Sequence, residues 1–250
     1  MIVSFAGVGE AFDETLPNTS VLVESGSSSI LLDCGFSASC GFWGLAKNPL
    51  DLDAVYISHF HGDHYFGLPS LIVRSVEEGR RKRLTILGPS GIESRVNRLL
   101  ELAYSNVRTK AKFELFFIEC DPDEDIKHSG FRFRFAMSSH SMPSLGVRLD
   151  AGGKSLFYSG DGAPTFATAE LARGCDMLIM ESYILDADAP GHGSVDSSLE
   201  LARQTGAGIC ALVHVQRIVR RTQKGRIMAK LNGVDGFKAV LPESGDSFDL

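Results

Sequence analysis

The chain has 250 residues, of which 44% are hydrophobic, and carries a formal net charge of −6. That length can bury a substantial core and reads as one domain spanning 1–250. The acidic balance argues against general affinity for polyanions, so any nucleic-acid contact has to rest on a local basic patch.

Five cysteines, Cys34, Cys40, Cys120, Cys175 and Cys210, are odd in number and have no CxxC spacing. They suggest neither a disulfide framework nor a thiolate zinc site, and a reducing cytoplasmic setting is expected. A pairing of Cys34 with Cys40 is the alternative. The opening Met1-Ile2-Val3-Ser4-Phe5 lacks a basic segment before a long apolar core. Nor does any stretch approach the ~18 apolar residues of a membrane span, so a soluble, unprocessed protein is expected.

In chain order, residues 1–5, 20–24 and 29–33 read as short strands between Gly and Ser turns, an opening β-meander. The apolar segment Ala54-Val55-Tyr56-Ile57 then runs into Ser58-His59-Phe60-His61-Gly62-Asp63-His64. Three imidazoles and one carboxylate within six positions ask for a metal. These are ligands Zn²⁺ prefers, and a strand ending in a tight loop aims alternate side chains at one point. Their order favours two ions: His59 and His61, two apart, share one, while Asp63 and His64 turn toward a second. The competing reading, a cluster of ordinary surface or core histidines, seldom produces three in six beside an Asp.

Downstream, 68–78 has helical periodicity and ends before Gly79. Arg80-Arg81-Lys82-Arg83 reads as a solvated basic loop, with a nucleic-acid contact as the alternative. A strand at 84–87 and a helix from Ser90 to about Tyr104 follow. Strands at 113–118 and 131–136 flank the acidic turn Asp121-Pro122-Asp123-Glu124-Asp125, and His128 beside it reads as an ordinary exposed histidine. Strands at 146–150 and 154–158 form a hairpin across Ala151-Gly152-Gly153. The apolar runs 177–180 and 209–213 read as buried strands, and a helix starts after Ser194 as N-cap. Six cations from Arg217 to Lys230 read as a solvated helix face, with phosphate contacts as the alternative.

The His-x-His-x-Asp-His run is similar to the signature of the metallo-β-lactamase superfamily. The continuation His64-Tyr65-Phe66-Gly67-Leu68-Pro69 resembles its ribonuclease Z-like phosphodiesterase branch. That resemblance implies an α/β, four-layer αββα sandwich with the site where two β-rich halves meet. It implies further ligands at His140, after Phe135-Ala136-Met137-Ser138-Ser139, at Asp161 in Gly160-Asp161-Gly162, and at His214 after Cys210-Ala211-Leu212-Val213. His59, His61 and His140 would then hold one divalent ion, Asp63, His64 and His214 another, with Asp161 spanning both. Asp33 would fix a ligating imidazole from behind, against the alternative of a strand-end Asp in a turn.

Two such ions would share a water and lower its pKa toward neutrality, readying hydroxide for attack on a phosphodiester. Zn²⁺ is the expected metal, with Mn²⁺ or Fe able to occupy the same ligands. His192, in Gly191-His192-Gly193-Ser194, resembles the branch's histidine that stabilises the reacting phosphorus or assists the leaving oxygen. Asp63 doubles as proton acceptor or donor. The expected activity is therefore a binuclear phosphodiesterase on a nucleotide, cyclic nucleotide or RNA-type substrate. Hydrolysis of a lactone or thioester, redox use of a di-iron site and a non-catalytic binding role are the rivals. The interval 104–131 is short and acidic where tRNA-processing members carry a Gly- and Pro-rich gripping arm. No membrane partner is implied, and related proteins are often homodimers.

Overall fold

The computed structural model of the protein describes residues 1–186 and 189–250. Among the described residues, fourteen strands form two sheets of seven. The first contains β1 (Ile2–Gly7), β2 (Ser20–Ser25), β3 (Ser28–Leu32), β4 (Ala54–Tyr56), β5 (Leu84–Pro89) and β6 (Leu115–Cys120), and its order is β14-β1-β2-β3-β4-β5-β6. The second contains β7 (Asp125–His128), β8 (Phe131–Met137), β9 (Leu145–Ala151), β10 (Lys154–Tyr158), β11 (Met177–Glu181), β12 (Ile209–Val213) and β13 (Lys238–Val240), in sequence-reversed order. The strand β14 (Ser247–Asp249) returns from the second half to pair antiparallel with β1.

Each sheet changes from antiparallel to parallel partway across. The opening meander β1-β2-β3 is antiparallel, whereas β3 through β6 run parallel. Likewise β7 through β10 are antiparallel, and β10 through β13 are parallel. Parallel strands need crossovers, which the helices supply. Helices α1 (Ala38–Leu45), α2 (Gly62–Tyr65), α3 (Leu68–Glu77), α4 (Ile92–Ala103) and α5 (Val107–Lys110) belong to the first half. The second half holds α6 (Phe166–Ala172), α7 (Val195–Thr205) and α8 (Arg217–Asn232).

Strand alternation sorts the apolar residues into three cores. Val21, Val23, Ile30, Leu32 and Tyr56 meet Phe133, Phe135, Tyr158, Ile179 and Val213 between the sheets. Their neighbours Leu22, Leu31, Val55 and Ile57 face the first helical layer, while Phe157, Leu178, Met180 and Leu212 face the second. The result is the expected αββα sandwich. Each fully buried aliphatic or aromatic side chain contributes ~1.5–3 kcal/mol, so the central layer binds the halves firmly.

Several expectations need correction. Arg80 is no solvated loop residue: it is 2% exposed, and its guanidinium donates to the carbonyls of Leu50, Leu52, Lys82 and Arg83. It ties the turn after α3 both to the segment leading into β4 and to the start of β5. The strand expected at 113–118 begins two residues later, at Leu115, and Asp125 opens β7 instead of closing a turn. His128 ends that edge strand and is half-buried. All five cysteines are free, so Cys34 and Cys40 do not pair.

Candidate metal centre

Residues at or just beyond the ends of the parallel strands converge at one edge of the central core. Asp33 follows β3, the run His59 to His64 follows β4, Asp161 follows β10, Glu181 ends β11, and His214 follows β12. His140 enters from the loop after β8 and His192 from the turn before α7. This is the general rule for parallel sheets, whose carboxyl ends carry the ligand site. Asp33 and His214 hold φ values of 57° and 55°, in the left-handed region that costs a non-glycine residue of order 1–3 kcal/mol. Asp161 lies between Gly160 and Gly162, where a Cβ would fall 2.7 Å from Ser58 Cβ and 2.8 Å from Ser138 Cβ, so only glycine lets this loop pass.

The seven expected ligands form two groups. His59, His61, His140 and Asp161 bring one donor atom each to within 4.8 Å of one another, as do Asp63, His64, Asp161 and His214. His59 Nε2 and His140 Nε2 lie 3.0 and 3.1 Å from His61 Nδ1. Ligand nitrogens around a tetrahedral ion with ~2.0–2.1 Å bonds are separated by about 3.3 Å, close to that spacing. In the second group His214 Nε2 is 3.1 Å from Asp63 Oδ2 and 3.5 Å from Asp161 Oδ2. His64 Nε2 stands 3.2 Å from Asp63 and 3.3 Å from Asp161, yet it is buried without a hydrogen bond.

Outer partners orient the rings, as metal-binding imidazoles require. His140 Nδ1 donates to the Gly191 carbonyl at 2.6 Å, and His64 Nδ1 donates to Asp33 Oδ2 at 2.7 Å. Asp33 therefore backs an imidazole, as the family resemblance implied.

The electrostatics fit cations. Burial and the neighbouring His64 push His59 well below the ordinary imidazole value, and burial with His140 lowers His61, which favours in both rings the neutral form that a metal can bind. Burial also disfavours charge on Asp63 and Asp161, but the surrounding imidazoles prevail and hold both carboxyls well below their usual range. Burial opposes charge on His214 as well, and Asp161 and Asp63 outweigh it, pushing that ring up to about 9. His64 is raised for the same reason, with Asp161 and Asp33 overcoming its burial. The buried carboxylates thus favour positive charge on His64 and His214, a demand that divalent cations would also meet.

His192 stands over these groups. Its Nδ1 donates to Glu181 Oε1 at 2.6 Å, and its ring stacks on Tyr183 at 4.5 Å between centroids. The Glu181 hydrogen bond, against partial burial, raises the His192 pKa. Glu181 is buried and also accepts the Gly193 N–H at 2.7 Å, so its carboxylate fixes both ring and backbone. The sequence reading missed Glu181. The available signal was a carboxylate closing an apolar strand, the position that Asp33 also takes.

A cavity of about 470 Å³ opens onto His61, Asp63, Asp161, His192 and His214. Phe12, Phe36 and Phe66, which are 73%, 49% and 48% exposed, rim it together with Tyr183. By contrast, the basic segment of α8 is spoken for. Arg217 pairs with Glu10, Arg220 and Lys224 with Glu243, Arg221 with Glu14, Arg226 with Asp186, and Lys230 with Asp186 and Asp196.

The profile of the family described as Anti-Pycsar protein Apyc1 matches residues 1–226. Ribonuclease Z of Methanosarcina acetivorans is 25% identical over 268 aligned residues, which cover 85% of this chain and 87% of that protein. The metallo-β-lactamase fold protein YhfI from Bacillus subtilis superposes with a TM-score of 0.82 at 22% identity, over 99% of this chain and 98% of that one. Human tRNase Z, short form (ELAC1), superposes with a TM-score of 0.79 at 21% identity, over 100% and 99%. With its fold, its clustered His and Asp donors and this profile match in agreement, the chain belongs to the Anti-Pycsar protein Apyc1 family, among the ribonuclease Z-like hydrolases of the metallo-β-lactamase superfamily.

Proposed function

We propose that the chain is a binuclear phosphodiesterase whose substrate is a nucleotide-sized phosphodiester, cyclic nucleotides included. We read its two halves as one domain, because the core between the sheets belongs to both. His59, His61 and His140 would hold one ion and Asp63, His64 and His214 the other, with Asp161 shared between them; Zn²⁺ is the first choice for this donor set. Once bound, such a pair supplies a water-derived nucleophile near neutral pH and Lewis-acid polarisation of phosphoryl oxygens.

The protein's own groups do the rest. Raised in pKa by Glu181, His192 keeps a proton to offer to a phosphoryl or leaving oxygen. Asp63, held ionised at the cavity wall, is placed to accept a proton from water and pass it on. The phenylalanine rim and Tyr183 suit the flat faces of a nucleobase, each stacked base being worth ~1–3 kcal/mol.

One observation carries this reading: a buried-carboxylate-backed histidine overlooks the donor groups inside a cavity of mononucleotide size. Two others favour a small substrate over tRNA. The interval 104–131 is filled by α5, β6 and β7, and the α8 cations already have carboxylate partners. The test is a parallel assay of metal-loaded protein on bis-p-nitrophenyl phosphate, cyclic nucleotides, a tRNA precursor, an acyl-homoserine lactone and a thioester. Hydrolysis of the first two that is lost in His192→Ala supports the proposal. Turnover confined to the carbonyl esters refutes it.

A further inference from the structure

Asp33 supplies no atom to either donor group, yet its carboxylate accepts four hydrogen bonds in a site closed to water. Oδ1 accepts the Ser58 backbone N–H at 2.7 Å. Oδ2 accepts the Ser58 hydroxyl at 2.7 Å, the Tyr158 hydroxyl at 2.6 Å and His64 Nδ1–H at 2.7 Å. A serine hydroxyl has a single proton. With that proton given to Asp33, Ser58 Oγ can only accept from its other neighbour, His59 Nδ1, at 3.0 Å.

The direction of every bond in this chain is therefore fixed. Both His59 and His64 thus hold a proton on Nδ1, which leaves Nε2 of each as the inward-facing atom that can take a metal once it is free of any proton of its own. Those two nitrogens belong to different donor groups. Tyr158 reaches Asp33 from the opposite sheet, so the anchor depends on the two sheets being in register. Asp33, Ser58 and Tyr158 are each 0–1% exposed, and no solvent can replace a donor that is removed.

We propose that Asp33, Ser58 and Tyr158 form one positioning device shared by both metal positions. It sets the tautomer and ring orientation of one ligand in each, so that two ions answer to side chains neither of them touches. The inference rests on the two-ion reading above. Ser58 serves the His59 position through its hydroxyl. Tyr158 serves both positions, because the oxygen it steadies is the one on which Ser58 and His64 converge.

The test is a stepwise zinc titration of chelator-stripped protein against a competing chelator, with melting temperature followed in parallel. Ser58→Ala is expected to weaken one of the two binding steps by about 10–100-fold, and Tyr158→Phe to weaken both. The control is Tyr56→Phe, which deletes another buried hydroxyl bond between the sheets, to the Leu145 carbonyl at 2.7 Å, without touching Asp33. It is expected to lower the melting temperature and leave both zinc affinities unchanged. Wild-type affinities in Ser58→Ala and Tyr158→Phe would overturn the shared device while leaving the two-ion reading intact, and so would an equal loss in Tyr56→Phe. A wild-type protein that takes up only one ion would overturn both.

Discussion

Glu181 Oε1 lies 2.6 Å from His192 Nδ1, and the carboxylate is buried while the imidazole faces the cavity. A buried acid behind a half-exposed histidine holds one ring nitrogen and tunes the other. Glu181→Gln keeps the shape and removes the charge. Because Glu181 raises the His192 pKa, its loss moves the alkaline limb of the pH–rate profile to lower pH. A kcat reduction of about 10–100-fold is expected, less than the ~10²–10⁴-fold that an acid–base group supplies, because His192 itself stays in place. Metal content should stay at the wild-type level; a lost metal complement would make Glu181 a ligand instead.

The electrostatics of the second donor group predict proton release. With His214 pushed up to about 9, its ring carries a proton near pH 7.5 in chelator-treated protein, and His64 is shifted in the same direction. Metal uptake must expel the proton on His214. Calorimetric titration with Zn²⁺ at that pH, in buffers of different ionisation enthalpy, should show at least one proton released per chain.

The same raised value fixes the pH dependence of the stripped protein's stability. A ring whose folded pKa exceeds its unfolded value of ~6.5 stabilises the fold fully below that value, and the contribution disappears as pH climbs through about 9. Melting temperatures of chelator-treated protein should therefore fall between pH 6.5 and 9.5. A rise over that interval would contradict the assignment.

Arg80 is a prediction about stability alone. Arg80→Ala strips hydrogen-bond donors from four carbonyls and opens a void beside Phe113, which lies 5.4 Å from the guanidinium carbon. A loss of about 3 kcal/mol or more follows, since bonds from a charged donor are worth ~1.5–3 kcal/mol each and their removal leaves buried acceptors unmet. Denaturant unfolding measures it. The activity of the folded fraction should be unchanged.

The α8 cations offer a contrasting expectation. Arg221 and Lys224 are exposed and already paired with Glu14 and Glu243. Reversing both to Glu should leave KM for a cyclic nucleotide within about twofold. A KM increase that grows at low salt would show that these residues contact phosphate.

The central loop was legible because its potential metal donors are dense. Three histidines and an aspartate in six positions leave few structural explanations, and the later proposed ligands each stand just beyond an apolar strand, in Ser139-His140, Gly160-Asp161 and Val213-His214. The sheets were legible for a related reason, since runs such as Met177 to Met180 are apolar on both faces and belong to parallel strands covered by helices. Glu181 was not, because one acid after four apolar residues has no partner within reach in the sequence. Its partner His192 arrives eleven residues later across a turn. The aromatic rim escaped for similar reasons: Phe12, Phe36 and Phe66 sit in three separate segments with no common period. Arg80 was misread because four consecutive cations resemble a solvated loop, and nothing local shows that the first of them turns inward to meet carbonyls near residue 50.

The central claim is that two cations share one carboxylate. Metal content per chain, measured on purified active protein and its Asp161→Ala variant alongside bis-p-nitrophenyl phosphate hydrolysis, tests it most directly. The expected result is two ions per wild-type chain, with occupancy and hydrolysis falling together in the variant. Full metal occupancy and normal turnover without Asp161, or full turnover by a wild-type chain holding a single ion, would contradict it.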